Sequence, residues 1–193
     1  MKSIASISIC TIEGRESFLN GLLFNIAQQM KKYNLTDGVD FKINISKDKR
    51  GEHSIGDKRN ALLQSCDSEY NCFIDDDDQI SDTYLYNALQ IMKTQKPDCI
   101  NLIGQMTVLG GTQTFIHELK RKEYVTIDGI HYRPPNHLNF MKTSICKNFI
   151  FPSINHGEDT DWAMQICRAN VLKTEGRIET VSYFYLPSEI HKN

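Results

Sequence analysis

The stretch Glu69-Tyr70-Asn71-Cys72-Phe73-Ile74-Asp75-Asp76-Asp77-Asp78 sets four adjacent carboxylates directly after a short apolar run. Cys72-Phe73-Ile74 reads as a short buried strand, so the acidic run lies at a strand end. Four neighbouring carboxylates repel one another at neutral pH, and an acidic run ordinarily belongs to a solvated, flexible segment. A divalent cation resolves the conflict. Asp oxygens are hard ligands for Mg²⁺ or Mn²⁺, and Mg²⁺ is commonly held by one or two carboxylates together with substrate phosphates. The competing reading, a charged surface turn, gives no reason for the position behind a buried strand.

Strands and helices alternate around this point. Ile4, Ile7 and Ile9 lie in a β-rich opening run ending at Thr11; after a polar loop with Gly14, Phe18, Leu19, Leu22, Leu23, Ile26 and Met30 recur at helical spacing. Val39, Phe41, Ile43 and Ile45 alternate as a second strand, and a polar loop from Lys47 to Ser54 leads into a short helix around Asp57 to Ser65. Tyr84, Leu85, Ala88, Leu89 and Met92 mark a further helix, stopped near Pro97, and Cys99 to Ile103 supplies another strand. This order predicts an α/β fold: a Rossmann-like, mostly parallel central sheet with flanking helices. Beyond Gly104 the rhythm changes. Thr112 to Ile116 and Tyr124 to Tyr132 look extended, with Asp128-Gly129 as a hairpin turn, which predicts a small antiparallel element.

The 193 residues suit a single domain spanning 1–193, with no repeat or linker. Hydrophobic content of 40% and charged content of 24% are those of a globular protein. No apolar run approaches the roughly 18 residues of a membrane span. Met1-Lys2-Ser3 opens no signal-peptide core, so the expectation is a cytoplasmic chain without membrane insertion. Six scattered cysteines without a Cys-x-x-Cys pair read as reduced core thiols. A net charge of −2 gives no general attraction to nucleic acid, although Lys47 to Arg59 and Lys120-Arg121-Lys122 are locally basic.

A second acidic cluster, Gly157-Glu158-Asp159-Thr160-Asp161-Trp162, leads into Ala163, Ile166, Cys167 and Val171 at helical spacing. Acids are favourable in a first helical turn, where free N–H groups and the dipole attract negative charge; that is the purely structural reading of the cluster. In an open α/β sheet, ligands collect beyond the carboxyl ends of the strands, where Thr11 to Arg15, Lys47 to Ser54 and Asp75 to Asp78 all fall. These residues predict a phosphate-bearing ligand.

Taken in order, Ser54-Ile55-Gly56-Asp57-Lys58-Arg59-Asn60-Ala61-Leu62-Leu63, the run from Glu69 to Asp78, and Gly157 to Trp162 resemble the glycosyltransferase family 2 type of the A-fold. The first two look like that family's Arg-Asn helix and Asp-x-Asp strand end, and the third like its Glu-Asp motif. The resemblance runs from the first strand to about Ala169. It implies a nucleotide-sugar-binding half at about 1–103 and an acceptor or catalytic half at about 104–193. It implies a nucleotide-diphosphate sugar donor, with a UDP-sugar first among them, a divalent cation (Mn²⁺ or Mg²⁺) and an acceptor hydroxyl.

By the same resemblance Asp159 is the general base of an inverting transfer, with Glu158 beside it. Asp77 is the first choice for metal contact, Asp75 approaches the ribose or donor sugar or joins the metal, and Asp78 or Asp76 is a secondary metal ligand or supports the ligands from behind. The fourth Asp leaves the register open by one position. His191 stands where some A-fold enzymes bring a C-terminal His to the metal; an exposed tail residue is its alternative. Thr11 and Arg15 are placed at the nucleobase and ribose, and Asp48 at the base, unless its loop is an ordinary charged one. Lys58 belongs to the donor side. Arg59 contacts phosphate or pins the carboxylates, since guanidinium pairs bidentately with either. His137, in Pro134-Pro135-Asn136-His137-Leu138-Asn139, is placed near the donor or acceptor sugar, against a structural hydrogen-bonded His. Trp162 is placed against a sugar face, with a core anchor as its alternative.

Two other classes remain open on the sequence. A nucleotidyltransferase shares the α/β sheet and acidic ligands, but calls for a Gly-rich phosphate loop, and Thr11-Ile12-Glu13-Gly14-Arg15 has one glycine. A non-catalytic sugar-nucleotide or glycan-binding module is the third reading. The acceptor is open as well, from a small molecule to a protein or a modified nucleic-acid base.

Overall fold

The computed structural model describes residues 2–108 and 111–186. The opening run forms β1 (Ala5–Ile12), and α1 (Glu16–Lys32) buries Leu19, Leu22 and Ile26 against the sheet. Ala5, Ile7 and Ile9 point to the α1 side, whereas Ser6 and Ser8 point to the other and are fully buried. Burial costs these hydroxyls little because each has a partner: Ser6 Oγ meets Ser68 Oγ at 2.6 Å and Ser8 Oγ donates to Asn71 Oδ1 at 2.8 Å.

Next come β2 (Phe41–Asp48), α2 (Ile55–Ser65) and β3 (Tyr70–Phe73). The Ser54 hydroxyl caps α2 by accepting the Asp57 N–H. β4 (Gln79–Ile80), α3 (Tyr84–Thr94) and β5 (Cys99–Val108) follow. The second half holds β6 (Gly111–His117), β7 (Val125–Ile127), β8 (Ile130–Arg133), β9 (Phe140–Lys142), α4 (Thr143–Cys146), α5 (Glu158–Ala169) and β10 (Glu175–Tyr185).

The sheet order is β2-β1-β3-β9-β5-β6-β8-β7, with β10 on the other edge of β5. β2, β1 and β3 are parallel, and β10 runs parallel to β5. One detail departs from the expected rhythm. The three-residue β9 slips between β3 and β5 and pairs antiparallel with both. The predicted hairpin is present: β7 and β8 are antiparallel, and Asp128 and Gly129 both take positive φ, 49° and 76°, as a two-residue primed turn requires.

Two apolar layers sandwich the sheet. α1 and α3 pack with Ile7, Ile9 and Phe140, while α2 and α5 pack with Phe73, Phe151 and Met141. Gly56 sets the second layer, since a Cβ there would lie 1.9 Å from the Pro152 carbonyl oxygen. Asn60 then clasps the same loop, donating to Phe151 O at 2.8 Å and accepting the Phe151 N–H at 2.9 Å. The N-terminal half of α2 is thereby pinned to the segment that leads into α5. Among the described residues no helix is long and apolar enough to cross a membrane.

Candidate active site

The four aspartates leave β3 in a tight turn, closed by Asp78 N–H to Asp75 O at 3.1 Å, and the turn sends them in different directions. Asp76 is buried and accepts Thr11 Oγ1 at 2.6 Å and Arg15 Nε at 3.0 Å. The Asp77 Oδ2 lies 2.9 Å from Arg15 Nη2, and no hydrogen bond or ion pair engages its Oδ1 among the described residues. The hydrogen bond to Asp76 and the further bond to Asp77 raise the Arg15 pKa, so the guanidinium is a fixed charge. Thr11 and Arg15 thus hold the acidic turn in place.

Asp78 turns inward instead. It accepts Tyr183 Oη at 2.6 Å and the Leu186 N–H at 3.0 Å, tying the end of β10 to the turn. Burial, reinforced by the Asp75 charge, pushes its carboxyl well above the usual range. Of the two places expected for Asp78, these contacts fit the supporting one: its oxygens meet Tyr183 and Leu186, while Asp75, Asp76 and Asp77 border the cavity at the strand ends.

That cavity, about 400 Å³, lies beyond the carboxyl ends of β1, β2 and β3, with Thr11, Arg15, Lys58 and His53 among its walls. Lys58 is buried, and its ammonium donates to the Thr11 carbonyl and to Asp48 Oδ1, locking the ends of β1 and β2 together. Asp48 also meets His53 Nδ1 at 3.3 Å. Asp48, Glu52 and His53 bring ligand atoms within 4.8 Å of one another, but the Lys58 charge already compensates Asp48.

Arg59 joins the two acidic clusters. Its side chain is buried at 2% exposure, donating from Nη1 to Glu158 Oε1 and from Nη2 to Asp75 Oδ1 at 2.8 Å. Of its two expected roles, pinning carboxylates is the one the geometry supports; Arg59 does not border the cavity. Burial would raise the Asp75 carboxyl, but the Arg59 charge and then His137 outweigh it and hold it well below the usual range. Glu158 is likewise buried against Arg59, which corrects its expected place beside the base in the chemistry: it positions the start of α5.

Asp159, the next residue, remains 28% exposed at its side chain. His137 stands between it and the acidic turn: Nδ1 is 3.4 Å from Asp159 Oδ2 and Nε2 is 3.6 Å from Asp75 Oδ2. The ring is 5% exposed and neither nitrogen completes a hydrogen bond. Residues far apart in the chain, Asp75, His137 and Asp159, therefore converge.

Trp162 is corrected. It is 2% exposed and stacks on Phe151 with ring centroids 4.5 Å apart, so the core holds it rather than a sugar. His191 lies outside the described residues. The sequence reading missed His117, fully buried in β6, whose Nδ1 lies 2.7 Å from Asn139 Oδ1. Burial pushes its pKa down to about 3, so the ring is neutral. An isolated His on a strand carries no local signal; the pairing with Asn139 arises from the sheet.

No family model and no curated protein sequence matches the chain. Solved structures do. S. aureus TarS 1-349 in complex with UDP-GlcNAc superposes with a TM-score of 0.67 at 19% identity over 98% of this chain, and its complex with UDP with 0.66 over 97%. The chain shares the fold of TarS 1-349. It spans 59% of the UDP-GlcNAc-bound TarS 1-349 chain and 37% of the TarS chain matched with a TM-score of 0.62. At 19% identity the likeness to TarS is one of architecture.

Proposed function

We propose that the chain is a metal-dependent, inverting glycosyltransferase that moves a sugar from a nucleotide-diphosphate donor to an acceptor hydroxyl. The observation that carries the reading is the convergence of Asp75 and Asp159 on opposite sides of His137, next to a cavity of about 400 Å³ that borders Asp77. TarS, which shares the fold, is described with UDP-GlcNAc and UDP. A UDP-sugar is accordingly the donor proposed here. Six free cysteines, five of them buried, support a reducing, cytoplasmic setting.

The carboxylates fit a divalent cation. Asp77 keeps one oxygen without a partner among the described residues, Asp75 borders the same cavity, and one or two carboxylates completed by a diphosphate make a common Mg²⁺ site. When bound there, the cation supplies Lewis-acid stabilisation of the charge that grows on the diphosphate. The chain's own groups do the rest. Arg15 fixes Asp76 and Asp77 so that they need not reorganise. His137, buried between the two carboxylates, spaces Asp75 from Asp159. The acceptor oxygen attacks the anomeric carbon opposite the diphosphate, Asp159 takes the hydroxyl proton, and the C1–O bond to the diphosphate breaks with inversion.

Thermal-shift titration with UDP and UDP-GlcNAc, with and without Mn²⁺, tests the donor site, because a ligand selective for the native state raises apparent stability. Release or transfer of labelled sugar separates an enzyme from a binding module. No Mn²⁺-dependent shift with any nucleotide diphosphate would remove the donor reading.

A further inference from the structure

Among the described residues, buried and half-buried arginines meet carboxylates with one exception. Arg15 pairs with Asp76 and Asp77, Arg59 with Asp75 and Glu158, and Arg121 and Arg177 with Glu118. Arg133, half-buried at the end of β8, has no carboxylate within ion-pair distance among the described residues. Its Nη2 reaches Met106 Sδ, at 4.0 Å. Two rings hold the guanidinium in place, Phe115 at 5.1 Å and Tyr124 at 5.7 Å from its centre. A charge partly removed from water ordinarily finds a counter-charge, and a guanidinium fixed between aromatic faces is ready to receive one bidentately.

The location gives this cation a purpose. Arg133 ends β8, and Pro134-Pro135-Asn136 joins it directly to His137, whose Nδ1 is 3.4 Å from Asp159 Oδ2. Neither Tyr124 nor Arg133 borders the cavity at the strand ends. Arg133 thus lies on the β8 side of the segment that carries His137 to Asp159. Tyr124 is 38% exposed, so a ligand reaches the pair from solvent.

We propose that Arg133 and Tyr124 form an acceptor subsite for an anionic group, a phosphate or a carboxylate, carried by the molecule that receives the sugar. The proposal rests on the glycosyl-transfer reading for its purpose, while the anion site itself can be measured without turnover. The Arg133 guanidinium receives two anion oxygens through its planar fork, and Tyr124 contributes the wall that orients them. An acceptor hydroxyl elsewhere on the same molecule is thereby directed to Asp159.

The direct test follows the side-chain ¹⁵N–¹H signal of Arg133, assigned by its absence in Arg133→Gln, while methyl phosphate, acetate or methanol is titrated at constant chloride ionic strength. Calorimetry with UDP and Mn²⁺ is run separately, so failure of the donor reading and failure of the subsite are distinct results. The expected outcome is a saturable shift of Arg133 with an anion and none with methanol. A response to methyl phosphate alone identifies a phosphorylated acceptor, and one to acetate alone a carboxylated one. An unmoved Arg133 signal, or equal shifts with methanol or added chloride, would overturn the proposal. In transfer assays with acceptor pairs differing only in the anionic group, Arg133→Gln should raise KM for the charged member by roughly tenfold or more, the loss of a charge-assisted hydrogen bond. The KM of the neutral member should stay in place. Equal effects on both members would count against the subsite.

Discussion

Replacing Arg59 by Lys tests whether one side chain holds the two acidic clusters in register. The guanidinium spans Glu158 at the start of α5 and Asp75 at the end of β3, and it is 2% exposed. A lysine keeps the charge, but its single ammonium cannot present two divergent N–H groups to carboxylates on different elements. Losing one charge-assisted hydrogen bond costs about 1.5–3 kcal/mol. For a chain of this length each kcal/mol moves Tm by about 2–4 °C, so Arg59→Lys should lower it by roughly 3–12 °C. Donor affinity should fall too, because Asp75 is no longer aimed at the cavity. Arg59→Met strands two carboxylates and should cost about 3–5 kcal/mol.

The effect has a pH signature. The Asp75 pKa is lowered in the folded protein, so the stability it contributes is present above the unfolded value of about 3.9 and is lost as pH falls through the folded one. Arg59→Met removes the main source of that lowering, and acid unfolding should move to higher pH. Thermal melts from pH 7 to pH 2, with calorimetric UDP titrations at pH 7, measure all of this. An Arg59→Lys protein with the wild-type Tm and UDP affinity would refute the reasoning.

Asp77→Asn should weaken Mn²⁺-dependent UDP binding more than any other change in the acidic turn; calorimetry with and without chelator checks it, and undiminished metal-dependent binding rejects the metal role. Asp78→Asn should leave Mn²⁺-dependent UDP binding near wild type, because Asp78 faces Tyr183 and Leu186, and a loss as large as that of Asp77→Asn would return it to the ligand set. Asp159→Asn should keep the fold and UDP binding while transfer drops by roughly 10² to 10⁴, the usual contribution of acid–base catalysis, and near-normal turnover would rule out the base assignment. Trp162→Ala should destabilise by about 3–5 kcal/mol through the cavity left beside Phe151, measurable by urea unfolding; a stable variant with a selective loss of sugar binding would restore the sugar-stacking role.

Much of the frame was legible in the chain itself. Period-2 and period-3.6 patterns mark β1, α1, α3 and the β7–β8 hairpin, because each buries one face and the spacing of apolar residues records which. The acidic run was recognisable because no packing argument sets four carboxylates behind a buried strand. β9 left no such trace: three residues are too few for a period, and their place between β3 and β5 depends on partners far away in sequence. β10 carries register shifts that blur alternation along its length.

The same division runs through the site. Residue type and spacing announce that Asp75 to Asp78 and Glu158-Asp159 are unusual, but not which way each carboxylate points. The turn after β3 sends Asp78 to Tyr183 and leaves Asp77 at the cavity wall, and the close contact of Gly56 with the Pro152 loop brings Glu158 to Arg59 across 99 residues. Trp162 at the start of α5 looks equally suited to a sugar and to the core until Phe151 is found stacked against it. Local sequence records what a residue can do chemically and which face of its own element it occupies. Whether Asp159 meets His137, or Arg133 packs between Phe115 and Tyr124, is decided only when elements distant in the chain pack together, because direction and partner are properties of that packing.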